Sequence, residues 1–202
     1  MFRPSIVPDR TTQNEPNRRE RTLQGMNDDD VADWRALSEG DPRGLARLFD
    51  RHNAQVFRQA ARLLTIREDA KDAVMIAFFE LWRRRASVRL VDGSPLPWLL
   101  NTVSNTARNL ERSGRRYRVL LGRVDHPAAS ESVTSADETG VLAALRRLPE
   151  KEQSVVVLTI MHGYREREAA TALGIPIGTV KSRLSRARSR LRDELAQMEV
   201  TG

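Results

Sequence analysis

Apolar residues recur at three- and four-residue spacing from Asp41 to Arg112 and again from Val141 to Gln197, and no two-residue alternation replaces that period anywhere in the chain. The spacing commits both stretches to helices that each bury one stripe, so the expected fold class is all-α. Only Val155-Val156-Val157 is locally β-prone. Asp41-Pro42 reads as an N-cap with proline at the first helical position. Leu45, Leu48, Phe49, His52, Val56, Ala60, Leu63 and Leu64 form the stripe that follows, with His52 expected as a packed core histidine. Thr65-x-x-Glu68 reads as a capping box opening a second helix. The core face of that helix is Ala70, Ala73, Val74, Ala77, Phe78, Leu81 and Trp82. Turn chemistry at Asp92-Gly93-Ser94-Pro95 makes Ser87 to Pro97 a loop. A third helix, from Trp98 to Arg112, buries Leu99, Val103, Ala107 and Leu110.

Residues 1–26 carry Pro4, Pro8 and Pro16 among polar residues without periodicity, which predicts a disordered tail. Met26, just before the patterned chain, is a second candidate translation start. Pro127 to Gly140 is small, polar and acidic (Glu131, Asp137, Glu138) with no basic residue, as a flexible linker would be. Beyond it, Leu142, Leu145 and Leu148 start a helix that breaks at Pro149. Val155 to Met161 forms another that ends at Gly163. A short helix from Arg165 to Leu173 stops at Gly174, and a last one runs from Gly178 to Gln197. Two small helical domains result, at 27–116 and 141–202, joined by 117–140. No internal repeat is visible.

Several function classes fall away on composition. With no cysteine among 202 residues, disulfides, thiol catalysis and thiolate metal sites are absent, in keeping with a reducing cytoplasm. No apolar run approaches a membrane span, which argues against membrane insertion, and the first residues hold no signal-peptide core. His52, His126 and His162 lie too far apart for a metal-binding spacing, and no phosphate-loop, dinucleotide or nucleophile-elbow pattern occurs. The reading is a non-enzyme without metal or cofactor. What remains is charge: +7 net and a pI near 10.8 favour a polyanionic partner. Of the 34 basic residues only Lys71, Lys151 and Lys181 are lysine, so 31 are arginines, the side chain that meets phosphate and guanine edges bidentately. A high-GC genome, such as an actinobacterium's, produces the same bias.

The final helix concentrates that charge. Val180, Leu184, Ala187, Leu191 and Leu195 share one inward stripe, and Ser182, Arg186 and Ser189 stand opposite. From Pro176 to Arg192 there are six basic residues and no acidic one. A solvated helix gains by mixing signs, so a helix of one sign accepts self-repulsion unless a polyanion lies alongside. Short helix, tight Gly174-Ile175-Pro176 turn and long helix make a helix-turn-helix, whose second helix presents Thr179, Lys181, Ser182 and Arg183 from its first turn to the major groove.

The segment Gly174 to Arg188 resembles the promoter-reading helix of bacterial RNA polymerase sigma factors of the extracytoplasmic-function (ECF, group four) type. Residues 41–116 resemble sigma domain two and 141–197 sigma domain four. The resemblance implies a transcription initiation factor that binds core RNA polymerase, recognises −35 and −10 promoter elements and aids promoter melting. Lys181, Ser182 and Arg186 would then read −35 bases, with Arg183 and Arg188 on phosphates. On the third helix Asn101, Asn105, Arg108 and Arg112 line one polar face, extended by Arg115, Arg116 and Arg118. Amides and guanidinium groups so placed hold a backbone and bond unpaired bases; an ordinary solvated face is the alternative. By resemblance this face and the Ser87–Leu96 loop take the melted −10 strand, one base flipped into a pocket. Trp98 either stacks on a base or anchors the core.

Asp72, Met75, Ile76 and Phe79 lie on the second helix away from its core stripe. Apolar residues on both faces mean burial against a partner, or burial within the domain on both sides. The resemblance makes this the surface that grips the polymerase clamp helices. The family usually carries a glutamine and an acidic residue where Met75 and Ile76 stand. The acidic linker would thread the polymerase cleft. Little chain follows Leu195, so an anti-sigma factor acting on it would be a separate protein. The rival readings are a helix-turn-helix operator-binding regulator, which nothing resembling a dimerisation helix supports, and a protein-interaction module with an incidental basic half.

Overall fold

The computed structural model describes residues 18–121 and 140–201, with side chains described within residues 28–114 and 140–197. The described chain is all-α: α1 (Arg18–Ser38), α2 (Pro42–Ala61), α3 (Arg67–Arg84), a 3₁₀ turn (Arg85–Ser87), α4 (Leu96–Leu121), α5 (Gly140–Arg147), α6 (Glu150–Val156), a π-helical turn (Val157–Met161), α7 (Glu166–Leu173) and α8 (Ile177–Thr201). Several boundaries differ from expectation: α4 begins at Leu96, inside the expected loop, the helix expected from Val155 begins at Glu150, and α8 runs from Ile177 to Thr201, past Gln197. Helix α1 starts at Arg18, inside the segment expected as tail, and α4 runs to Leu121, past the expected end of the first domain. The capping box at Thr65 does not form. The helix starts one residue later, with Ile66 as cap and its carbonyl accepting from Ala70 N–H (3.2 Å), so Glu68 turns to Lys71 (2.7 Å) instead. The expected tail residues 1–17, the linker residues 122–139 and His126 lie outside the described residues.

Helix α2 begins as its sequence dictates. The Asp41 carboxylate accepts from Arg43 N–H (2.9 Å), and Leu48, His52, Val56 and Ala60 are buried along the stripe. Helices α2, α3 and α4 pack on one another, and Phe49 meets Phe78 edge to face at 4.8 Å. Helix α1 crosses α2 at Gly44. A Cβ there would lie 2.5 Å from the Asp33 carbonyl oxygen, so only glycine allows the approach. Below that crossing sits a buried ionic cluster. His52 Nε2 lies 2.9 Å from both oxygens of Asp30. Arg51 donates to Asp30 and Asp33 (2.7 Å each), and Arg47 also pairs with Asp33. Burial pushes both carboxyls up, but bonds from His52, Ser94 and Arg51 to Asp30, and from Arg47 and Arg51 to Asp33, outweigh it. Both therefore lie below the usual carboxylate range. The loop before α4 is a two-residue hairpin. Val91 and Ser94 exchange backbone hydrogen bonds (3.1 and 2.9 Å) around Asp92 and Gly93, whose positive φ values of 49° and 79° define a type I′ turn.

In the second half, α5, α6 and α7 pack around α8, whose Val180, Leu184 and Ala187 are buried as expected. The chain breaks at Pro149, and the π turn carries a His162 N–H to Val157 carbonyl bond (3.1 Å). The halves are not separate bodies. Helix α4 packs against α6, the π turn and α7, and one apolar cluster runs through both. Gln59 is fully buried at this seam; its Nε2 donates to Ser104 Oγ (3.1 Å), which leaves its Oε1 to accept from His162 Nε2–H (2.9 Å). Burial, with Arg62 and Arg58 nearby, lowers His162 to about 4.

Two outcomes follow for stability. Replacing Asp30 with Asn strips a buried charge pair and is expected to cost about 3–5 kcal/mol in urea unfolding at neutral pH. Because the Asp30 pKa is depressed on folding, its contribution is complete above about pH 5 and is lost as pH falls through the folded value, so the variant shows a weaker acid dependence below its parent's ordinary carboxylate range. His162 is also depressed, so the unfolded chain takes up its proton first. Urea midpoints are expected to fall as pH drops from 6.5 towards about 4, and His162→Gln, which keeps an N–H donor, removes that step.

Candidate nucleic-acid interface

The helix-turn-helix comprises α7, a Gly174-Ile175-Pro176 turn and α8. Helix α7 is started by Glu168, whose carboxylate accepts from Arg165 N–H (2.7 Å), and is closed by Gly174 in the left-handed region (φ 66°). The Pro176 carbonyl then accepts from Thr179 and Val180 (2.9 and 3.2 Å), which opens α8. With Val180, Leu184 and Ala187 fixed in the core, Lys181, Ser182, Arg186 and Arg188 are exposed, and Thr179 and Arg183 are half-buried beside them. All six expected residues thus share one helix and its outward surface. Ser182 Oγ donates to the Thr179 carbonyl (3.1 Å), and Arg186 Nε donates to the Ser182 carbonyl (3.2 Å), which occupies one of five guanidinium N–H groups. Among the described residues no carboxylate pairs with Lys181, Arg183, Arg186 or Arg188. The next cation differs: Arg190 is tied to Glu152 (3.1 Å). Arg165 and Arg167, exposed at the start of α7, add positive charge that the wheel of the last helix alone does not reveal.

The expected −10 face on α4 is built differently. Leu99, Val103 and Ala107 bury one side of the helix, so Asn101, Asn105 and Arg108 point from the other. That other side is partly covered at Arg108. Arg108 donates through Nε and Nη2 to Gln153 Oε1 (3.0 and 2.8 Å) and through Nη2 to the Leu148 carbonyl (2.5 Å). Burial lowers its pKa, and Arg112 adds to this. Asn101 and Asn105 are half-buried, and the Oδ1 of each is buried without a hydrogen-bond partner. Arg112 is exposed. Arg115, Arg116 and Arg118 continue on α4, with side chains outside the described residues. Trp98 packs against the core while keeping part of its surface outside. The hairpin loop approaches the second half at one point, where the Arg89 guanidinium stands 3.0 Å from the position of a Gly174 Cβ, while Arg89 and Asp92 remain exposed. Burial raises the Tyr164 hydroxyl, and the carboxylates of Glu168, Asp30 and Asp92 add to that shift.

On α3, Ala73, Val74, Ala77 and Phe78 face inward, while Met75, Ile76 and Phe79 are 59%, 40% and 62% exposed with Asp72 beside them. The helix is therefore not buried on both sides within the chain. Three large apolar groups on two successive turns make a patch suited to a partner.

A sigma-70 region 2 family model matches residues 48–117 and a sigma-70 region 4 model matches residues 139–191. The chain is 34% identical over 152 residues to the ECF RNA polymerase sigma factor SigM of Mycobacterium tuberculosis, covering 75% of this chain and 77% of that one. It is 29% identical over 160 residues to the ECF RNA polymerase sigma factor SigL of the same species, covering 76% and 90%. Among solved structures it is similar to CnrH in complex with the cytosolic domain of CnrY (TM-score 0.56, 25% identity, 84% and 98% covered). It is also similar to the sigma factor RpoE in complex with the anti-sigma factor NepR from Bartonella quintana (TM-score 0.50, 26% identity, 75% and 96% covered). With both region models matched in order and 34% identity over 152 residues to such a relative, the chain belongs to the ECF RNA polymerase sigma factors.

Proposed function

We propose that this protein binds core RNA polymerase through α3 and directs it to promoters by reading a −35 duplex with α8 and a melted −10 strand with α4 and the Ser87–Leu96 loop. The observation that carries this reading is the outward surface of α8, where Lys181, Ser182 and Arg186 are exposed on a helix-turn-helix and, among the described residues, no carboxylate pairs with Lys181 or Arg186. Arginine and lysine read guanine O6 and N7, and the serine hydroxyl bonds a base edge or a phosphate. Arg183 and Arg188 flank these residues and fit phosphates. Met75, Ile76 and Phe79 provide apolar anchors for the polymerase, with Asp72 at their rim. On α4, Asn101, Asn105, Arg108, Arg112, Arg115 and Arg116 hold the single strand. No covalent step falls to the chain, and its work is binding and positioning. Relatives of this fold are held by anti-sigma factors, and a separate protein of that kind is a partner for this chain as well.

The cation assignments separate in run-off transcription with reconstituted holoenzyme. Arg186→Ala is expected to cost about 1–3 kcal/mol at the cognate promoter and to relax preference at one −35 position. Arg188→Ala is expected to weaken all sequences alike and to reduce the salt slope by about 1. Promoter output unchanged by Arg186→Ala would remove the last helix from the reading. The polymerase surface is tested by Phe79→Asp, which should abolish co-elution with core polymerase while leaving the thermal transition in place, because that ring is largely in solvent.

A further inference from the structure

We propose that Glu152 competes with DNA for Arg190: its buried carboxylate withholds from the duplex a cation that lies on the reading face of α8, and so limits how strongly that helix grips the backbone. The proposal rests on the reading of α8 as the −35 helix. Arg190 follows Arg183 and Arg186 at spacings of four and three residues in turn from its own position, which puts the three on one face of the helix. It stands four residues, about 6 Å, beyond Arg186. The major groove is about 12 Å wide, so a residue that far past one reaching base edges meets the groove wall, where the phosphates stand. The Arg190 side chain is 58% exposed, so position and access both suit a phosphate contact.

What sets Arg190 apart from Arg186 and Arg188 is the acid behind it. Glu152 Oε2 lies 3.1 Å from Arg190 Nε, on a side chain that is itself buried. Glu152 belongs to the first turn of α6, so the carboxylate is placed by a neighbouring helix and not by α8. Its Oε2 accepts no hydrogen bond, and among the described residues the cation paired with it is Arg190. Handing Arg190 to a phosphate therefore leaves a buried carboxylate uncompensated, a larger loss than one solvent-exposed phosphate contact returns. The other ion pair on this side of α8 has the opposite sense. There the helix supplies the acid, Glu194, to Arg147 of α5 (2.7 Å), and no cation is taken from the reading helix. A phosphate contact withheld loosens the hold on every sequence alike. Retention on a promoter then depends more on the base contacts of Lys181, Ser182 and Arg186 and on the polymerase.

The test uses the full-length chain and a labelled random-sequence duplex pool, with anisotropy read from about 50 to 200 mM salt. Glu152→Gln keeps the shape of the side chain and removes its charge. It should steepen the dependence of log affinity on log salt by about 0.9 and tighten binding about fivefold near 0.15 M salt, the effect of one released counterion. The same substitution made together with Arg190→Ala should bring neither change. Glu152→Met, which needs no partner when buried, should act as Glu152→Gln does and decides the matter if the glutamine variant loses its thermal transition. An unchanged slope in a folded Glu152 variant, while Arg188→Ala lowers it, overturns the competition and leaves the −35 reading intact. A gain that persists alongside Arg190→Ala means that Glu152 acts by through-space charge alone, and also overturns the competition. No duplex binding by any form, or a slope indifferent to Arg188→Ala, overturns both.

Discussion

The relation between the two halves turns on a guanidinium drawn half out of water. Arginine does not shed its proton under any accessible condition, so once Arg108 is covered it must find acceptors or the cover cannot close. Gln153 and the Leu148 carbonyl supply them, and both belong to the second half. The remaining seam contacts are weaker versions of the same requirement. Gln59 is fully buried and needs a donor for its carbonyl oxygen, which His162 provides. Apolar burial along α4, α6 and α7 holds the halves together without direction, and the polar contacts choose the register.

The three surfaces of the molecule differ in how their chemistry is protected. On α8, Lys181, Arg186 and Arg188 stand in solvent and, among the described residues, pair with no carboxylate, which serves long-range attraction of a polyanion. On α3 the patch is apolar and short-range. On α4 the charge is met internally. Ionic partnership elsewhere is used for architecture: Asp30 and Asp33 neutralise Arg51 and Arg47 at the α1–α2 crossing, and Arg190 and Arg147 are tied to Glu152 and Glu194. The same residue type is therefore tied down or left free according to whether a carboxylate or a buried carbonyl lies within reach.

Much of this was legible in the residues. Stripes of three and four gave α2, α3, α4 and α8, and Asp41-Pro42 and Gly174 marked boundaries that the helices obey. The one-signed charge of the last helix located its free surface because buried and solvent sides follow directly from period. Long-range pairing was not legible. Asp30, Asp33, Arg47 and Arg51 look like ordinary surface charges until α1 is laid across α2. The residues of α1 before Met26 have no stripe to announce a helix. Nor do local rules say that the halves dock, although Gln59 beside Ala60 and Gln153 two residues before Val155 are buried polar residues, and each proves to be a seam contact. The Thr65 signature failed for a simple reason: a shift of one residue moves Glu68 off the position from which a side chain can return to the cap.

The π turn at Val157–Met161 has a geometric consequence. A helix closed by a bond from residue 162 to residue 157 holds one more residue than an α-turn of the same span. Here the wider turn is also where the helix stops: Gly163 follows in the left-handed region (φ 72°), and the Tyr164 N–H reaches back to the Leu158 carbonyl (3.0 Å). The last carbonyls of the helix are thereby answered by the chain that leaves it, and only residues 163–165 lie between His162 and α7. Replacing Gly163 with a residue bearing a Cβ would strain that exit without touching any side chain of the helix-turn-helix.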